Sequence, residues 1–311
     1  MSRLFTLTLN PAVDRELTVP AIEYNTVLRA AQWQVDCGGK GFNVSRMLKS
    51  LGADNTALGF AGGKSGEVLR EGLEALGIDT DFVWVADETR TNVSIVTEAH
   101  NRYIKVNEPG PTISSAELKI LIQKVRQFSA PGDWWVLAGS LPPGVPASIY
   151  AELITVIQQA GAHAILDSSG EALRLGCKAK PFMVKPNDVE AQALTNLAVS
   201  SQTDIINVAK AIQSIGPIHV VISLGKKGLL GVTPDQVWLI KSPQVDERNP
   251  IGAGDSLVGG VVWGLKQAYS VDEALCWGVA CGAAAASLSG TGVASFKRVK
   301  SLYAQTKAQL I

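Results

Sequence analysis

The chain is predicted to fold as an α/β protein: a mostly parallel central sheet covered by helices on both faces, with a small β lid beside it. Three observations carry that expectation. Short apolar or β-branched runs alternate with amphipathic segments for most of the length. Glycine clusters recur where an extended run gives way to a helical one. Two stretches, 11–33 and 89–107, break the alternation. Alternation implies βαβ units, because parallel neighbours need a long crossover to bring the chain back to the same end of the sheet. Ligands of such sheets bind beyond the carboxyl ends of the strands.

In chain order, strands are expected at Leu4–Leu9, Thr56–Phe60, Trp134–Ala138, Ala164–Asp167, Phe182–Lys185 and His219–Leu224. Val44, Met47, Leu48 and Leu51 share one helical face, as do Leu118, Leu121, Ile122 and Val125. Ser114 with Glu117 has the form of a capping box opening the second of these helices. Thr18–Trp33 reads as short extended pieces with turns at Pro20 and Asn25, and Thr91–Glu98 with Tyr103–Val106 as a hairpin turning at His100-Asn101. A sheet this small is not stable alone, so it is expected to pair with its copy in a homodimer. The division expected is a core of residues 1–10, 34–88 and 108–311 and a lid of 11–33 and 89–107.

Hydrophobic residues make up 46% of the 311 positions, charged residues 18%, and glycine occupies 30, a globular composition rich in tight turns. The zero formal net charge offers no general attraction to nucleic acid or to an anionic membrane surface. Cys37, Cys177, Cys276 and Cys281 form no CxxC pair and have no partners at zinc-site spacing, as expected of reduced cysteines in a cytoplasmic protein. The apolar run after Arg3 is too short and Thr-rich for a signal peptide. Trp277–Val293, dominated by Gly, Ala and Ser, reads as a tightly packed core helix rather than a membrane span. The three histidines, His100, His163 and His219, are scattered without matched partners.

The strongest chemical signal is Ile251-Gly252-Ala253-Gly254-Asp255-Ser256, which runs into a helical pattern. Glycines at a helix start let backbone N–H groups approach an anion, and the helix dipole adds positive potential. Asp255 in the first turn suits phosphoryl transfer, accepting the proton of an attacking hydroxyl. The same pattern also fits a plain Gly-rich cap with an Asp facing the dipole. Neither GxxxxGK[ST] nor GxGxxG is present. Gly38-Gly39-Lys40-Gly41-Phe42-Asn43 offers amides, a cation and a side-chain amide to a substrate with hydroxyls and a phosphate. Asn187 and Glu190 are neighbours on one helical face. They suit magnesium-bound waters, and equally a solvated helix start. Ser223-Leu224-Gly225-Lys226-Lys227-Gly228 is a further strand followed by a glycine turn.

These motifs, in this order, resemble the ribokinase/PfkB family of sugar kinases from about Leu4 to Leu288. The nearer likeness is to its phosphosugar branch, which holds 1-phosphofructokinase, tagatose-6-phosphate kinase and the minor-type 6-phosphofructokinase. The likeness rests on Thr8-Leu9-Asn10-Pro11-Ala12-Val13-Asp14, Gly38-Gly39-Lys40-Gly41 with Asn43, and Thr89-Arg90-Thr91-Asn92. Asn107-Glu108-Pro109-Gly110-Pro111, Gly139-Ser140-Leu141-Pro142-Pro143-Gly144, Lys185-Pro186-Asn187 and Gly252-Ala253-Gly254-Asp255-Ser256 complete it.

The resemblance implies a ribokinase-like three-layer fold and an enzyme that uses ATP and Mg²⁺ on a small phosphosugar. It makes Asp255 the catalytic base and Gly252, Ala253 and Gly254 the anion hole. Asp14, Gly39, Lys40, Asn43, Arg90, Asn92 and Ser140 are then expected at the sugar phosphate. Lys185, Asn187, Ser223, Gly225 and Gly228 are expected at the nucleotide, with Asn187 and Glu190 reaching the metal through water. The family commonly has Thr where this chain has Pro250, which lacks an N–H donor. Val27 stands where some 6-phosphofructokinases of this type place Lys, and Lys40 where they have Gly. Both departures point to fructose 1-phosphate ahead of fructose 6-phosphate, with tagatose 6-phosphate as an alternative. A catalytically silent sugar-phosphate-binding module is the alternative of another class, and Pro250 is its one supporting feature.

Overall fold

The chain leaves its first strand, β1 (Leu4–Thr8), for β2 (Ala12–Val19) and β3 (Gln32–Gly38), then returns through α1 (Lys40–Ser50) to β4 (Thr56–Ala61). Helix α2 (Gly63–Ala75) leads to the short β5 (Asp79–Thr80) and β6 (Val83–Trp84), and a second excursion forms β7 (Thr91–Thr97) and β8 (Tyr103–Asn107). Strand and helix then alternate through α3 (Ser115–Phe128), β9 (Trp134–Ala138), α4 (Ile149–Gln159), β10 (His163–Asp167), α5 (Gly170–Lys178) and β11 (Met183–Val184). Helices α6 (Asp188–Thr195) and α7 (Gln202–Ile215) precede β12 (His219–Ser223). The C-terminal part adds β13 (Leu229–Val232), β14 (Val237–Ile240), α8 (Ala253–Lys266), α9 (Val271–Ala286), α10 (Phe296–Tyr303) and β15 (Ala308–Leu310). The structure is a computed structural model and describes residues 2–98, 102–288 and 292–311.

The main sheet has the order β15-β14-β13-β12-β11-β10-β9-β1-β4-β5. It is parallel from β5 to β12 and antiparallel from β12 to the β15 edge. The expected strands are present, with β11 reduced to Met183–Val184. The antiparallel edge escaped the sequence pattern because its strands are only three or four residues long. Alternate side chains on each strand serve two cores. Phe5, Leu7, Trp135 and Leu137 pack with α3, α4, α5 and α7, whereas Leu4, Trp134 and Val136 pack with α1, α8, α9 and α10. Both faces are therefore covered, and burying each such side chain contributes about 1.5–3 kcal/mol.

Helix α9 is buried along almost its whole length, as the Gly/Ala/Ser stretch implied; residues 289–291 of that stretch lie outside the described residues. Its small side chains let it press against α8. A Cβ at Gly260 would lie 2.6 Å from the Trp277 carbonyl oxygen, and one at Gly278 2.9 Å from that of Leu257. Among the described residues no helix is long and apolar enough to cross a membrane.

The two excursions form a second sheet of order β3-β2-β7-β8. The boundary expected at residue 34 falls inside β3, which pairs with β2 continuously from Gln32 to Gly38, so residues 34–38 belong to the small sheet rather than the core. The first excursion is one antiparallel pair, not several short pieces, and residues 20–31 connect it. The expected turn at His100-Asn101 lies outside the described residues.

Candidate active site

Parallel strands deliver their carboxyl ends to one edge of the sheet, and the following helices start there. At that edge a cavity of about 760 Å³ is lined by all the site residues expected above, from Asp14 and Arg90 on one side to Ser223 and Gly228 on the other.

The N-terminus of α8 forms its floor. Gly252 has φ 77°, in the left-handed region that glycine enters without strain, and this turns the chain into the helix. The Ala253 N–H donates to the Pro250 carbonyl at 3.2 Å, so it is used inside the turn. The Gly252 and Gly254 N–H groups meet no acceptor among the described residues, which leaves orphan donors of the kind an anion satisfies. Pro250 thus lacks a donor of its own but shapes the turn through its carbonyl.

Asp255 follows, buried, and accepts a hydrogen bond from Asn43 Nδ2 at 2.8 Å. Burial, then the nearby charge of Asp167, pushes its pKa up to about 6; the Asn43 hydrogen bond, Lys40 and Lys185 pull the other way. Asp167, at the end of β10, is buried between two ammonium groups, with Lys40 Nζ at 3.1 Å from Oδ1 and Lys185 Nζ at 3.3 Å from Oδ2. Burial works against the charge of Lys40, but Asp167, Asp255 and Glu190 outweigh it and raise its pKa above the ordinary lysine value.

On the small-sheet side, Asp14 Oδ1 accepts from Asn92 Nδ2 at 2.7 Å, the two residues standing opposite each other on β2 and β7. Only glycine fits at position 38, where a Cβ would fall 2.4 Å from Asp14 Cγ. Burial raises the Asp14 pKa, against the Asn92 hydrogen bond and the charges of Lys105 and Arg90. Arg90 donates to the carbonyls of Pro11, Glu108 and Asn10 at 3.3, 2.9 and 2.8 Å. That commits three of its five N–H donors to tying the small sheet to the main one. Lys105, on β8, also lines the cavity and makes no ion pair among the described residues. Ser140, Gly39 and Asn43 complete this side.

At the other end, Asn187 and Glu190 form a capping box: Glu190 N–H donates to Asn187 Oδ1 at 2.8 Å and Asn187 N–H to Glu190 Oε2 at 2.9 Å. Their three-residue spacing therefore builds a helix start, and both still line the cavity. Glu190 Oε1 and Asn187 Nδ2 make no hydrogen bond among the described residues. Gly225 (φ 56°) and Gly228 (φ 98°) shape the turn after β12, and Ser223 bridges to Asn187. No group of three or more metal-ligating His, Cys, Asp or Glu side chains occurs among the described residues. Glu190 Oε1, with the Asn187 side chain beside it, fits a cation which keeps its waters and takes its other oxygens from substrate, as Mg²⁺ does.

The model of the pfkB family of carbohydrate kinases matches residues 8–297. The chain belongs to that family. The 1-phosphofructokinase of Bacillus subtilis is 34% identical to this kinase over 94% of this chain and 95% of its own length. The ATP-dependent 6-phosphofructokinase isozyme 2 of Escherichia coli is 35% identical, covering 98% and 99% of the two chains. The solved structure of the Escherichia coli phosphofructokinase-2 in complex with potassium superposes with a TM-score of 0.93 at 34% identity, covering 98% of this chain and 99% of that one. The fold is that of the ribokinase-like kinases, and the enzyme is an ATP-dependent sugar kinase of the phosphofructokinase type.

Asp167 and Lys105 are among the residues of this kinase's cavity that sequence reasoning missed. Asp167 carried a readable signal, a lone charge at the carboxyl end of an apolar strand, followed by Ser168-Ser169. Lys105 carried none, since a lysine on an exposed strand is ordinary.

Proposed function

We propose that this kinase transfers the γ-phosphoryl group of ATP to the C6 hydroxyl of fructose 1-phosphate, with Asp255 as the base. The observation that carries the proposal is the placement of Asp255: a buried carboxylate with a pKa near 6, beside orphan N–H groups at a helix start. A base of that pKa is ionised at neutral pH yet takes a proton more readily than an ordinary carboxylate. The hydroxyl proton passes to Asp255 as the oxygen bonds to the γ-phosphorus and the bond to the departing ADP oxygen breaks. The Gly252 and Gly254 N–H groups, with Lys185, meet the charge on the moving group. Asn187 and Glu190 would hold Mg²⁺ through water, and the ion would supply charge compensation to the triphosphate.

The substrate's own phosphate would lie toward Lys105 and the remaining N–H groups of Arg90, with Asp14 and Asn92 on sugar hydroxyls. The small sheet would close over the sugar as a lid. Its exposed Trp33, Tyr103 and Val106 would be covered by the same sheet of a second copy. Fructose 6-phosphate is the second reading, favoured by the 35% identity to a 6-phosphofructokinase.

Initial rates of ADP formation with fructose 1-phosphate, fructose 6-phosphate and tagatose 6-phosphate in parallel test the choice. We expect kcat/KM for fructose 1-phosphate to lead by at least about tenfold, a difference of about 1.4 kcal/mol in transition-state binding. Preference for another phosphosugar moves the substrate and keeps the chemistry. Silence on all three, with ATP still bound, refutes all three phosphosugar readings.

A further inference from the structure

Asp167 stands at the one point of the cavity where both lysines of the phosphoryl path converge. It comes from the end of β10, Lys40 from the first turn of α1, and Lys185 from the residue after β11. Each carboxylate oxygen faces one ammonium, and the carboxylate is 1% exposed. Lys185 Nζ lies 3.6 Å from where a Cβ on Gly254 would be, which places it beside the orphan amides. Lys40 reaches the same carboxylate from the sugar side, within electrostatic reach of Asp255 and Glu190. One buried carboxylate therefore fixes a cation on each side of the path, while its own charge bears on the base. No other acidic group forms an ion pair with either lysine among the described residues.

We infer that Asp167 is a positioning residue: it holds Lys40 and Lys185 at the place where the phosphoryl group passes between nucleotide and sugar. Before substrate arrives, its carboxylate takes the role that the phosphate oxygens later share. Two cations aimed at one point, Lys185 buried and Lys40 part-exposed, would otherwise repel each other and lose their fixed positions. The inference rests on Asp255 as base and goes beyond it, since Asp167 touches neither the reacting hydroxyl nor Asp255.

The groups facing Asp255 are Asp167 from β10, Lys40 and Asn43 from α1, and Lys185 from the end of β11; α9 lines the cavity with Val279, Gly282, Ala283 and Ala286, none of them titratable. Asp167→Asn keeps the shape and removes the charge. We expect kcat to fall more than about tenfold, a loss typical of misplaced catalytic groups. KM for ATP should change less than kcat, because neither lysine is removed. The acid limb of the kcat/KM profile should move down by about one pH unit, since a like charge leaves the neighbourhood of Asp255. The sugar phosphate titrates alike in both proteins, so the displacement between the profiles is the readout. Combined with Lys40→Met, the loss in kcat should be less than the product of the single losses.

A wild-type profile with no acid limb removes Asp255 as the base and this inference with it. A limb present in the wild type and unmoved in Asp167→Asn, or fully multiplicative losses in the double variant, overturns the positioning role alone. Should Asp167→Asn fail to fold, Lys40→Met decides by itself: its acid limb must move up, and an unmoved limb overturns the inference.

Discussion

Asp255→Asn should make the protein more stable at neutral pH while nearly abolishing its turnover. The folded-state pKa of about 6 lies above the reference 3.8, so the site disfavours the ionised carboxylate. At about 1.4 kcal/mol per pH unit, the charged form is disfavoured by about 3 kcal/mol in the native state relative to the unfolded chain. The native state binds the proton more tightly, so the linked stability is fully present below 3.8 and is lost as pH rises through 6. An amide removes the charge and keeps an oxygen for the 2.8 Å hydrogen bond from Asn43 Nδ2. Thermal unfolding at pH 7.5 should therefore show the variant melting higher, by up to roughly 5 °C. The difference should shrink to nothing as the pH falls below 4. Phosphoryl transfer by the same preparation should drop by about 10²–10⁴, the usual contribution of general-base catalysis. A variant that melts lower than the wild type at pH 7.5 would refute the balance of burial over attraction at this site. Retained turnover would refute the base.

Three further outcomes follow from the same geometry. Lys105→Met should raise KM for the phosphosugar about ten- to a hundredfold with kcat little changed, the loss of one hydrogen bond to a charged group; an unchanged KM would place Lys105 outside the site. It is a cleaner probe than Arg90→Ala, which also cuts three backbone ties to the small sheet. Asn43→Ala removes the bond that favours the Asp255 carboxylate, so the acid limb of activity should move above pH 6, opposite to Asp167→Asn; a downward move would contradict the assigned hydrogen bond. Gly260→Ala should destabilise by about 1–3 kcal/mol in denaturant titration, because its Cβ would meet the Trp277 carbonyl at 2.6 Å and Cys281 Sγ at 2.7 Å. A neutral result would mean that α8 and α9 can separate at little cost.

What could be read from the sequence is what local chemistry encodes. The period of Val44, Met47 and Leu48, the apolar run of Trp134–Ala138 and the Ser114/Glu117 box each act within a few residues, and each formed as expected. Gly252–Gly254 ahead of Asp255 read as an anion-binding helix start because the amides and the dipole belong to that segment itself. Residues 34–38 were misplaced because an extended segment looks the same in either sheet, and only pairing with β2 decides which one it joins. The side-chain partners were out of reach for a related reason. Lys40 meets Asp167 across 127 positions, and Asn43 meets Asp255 across 212. The sequence alone determined the alternation of strand and helix and the family of chemistry, because both rest on neighbours along the chain. Tertiary structure decided which cation faces which carboxylate, and so how readily Asp255 takes a proton, because that depends on charges and burial contributed by distant segments.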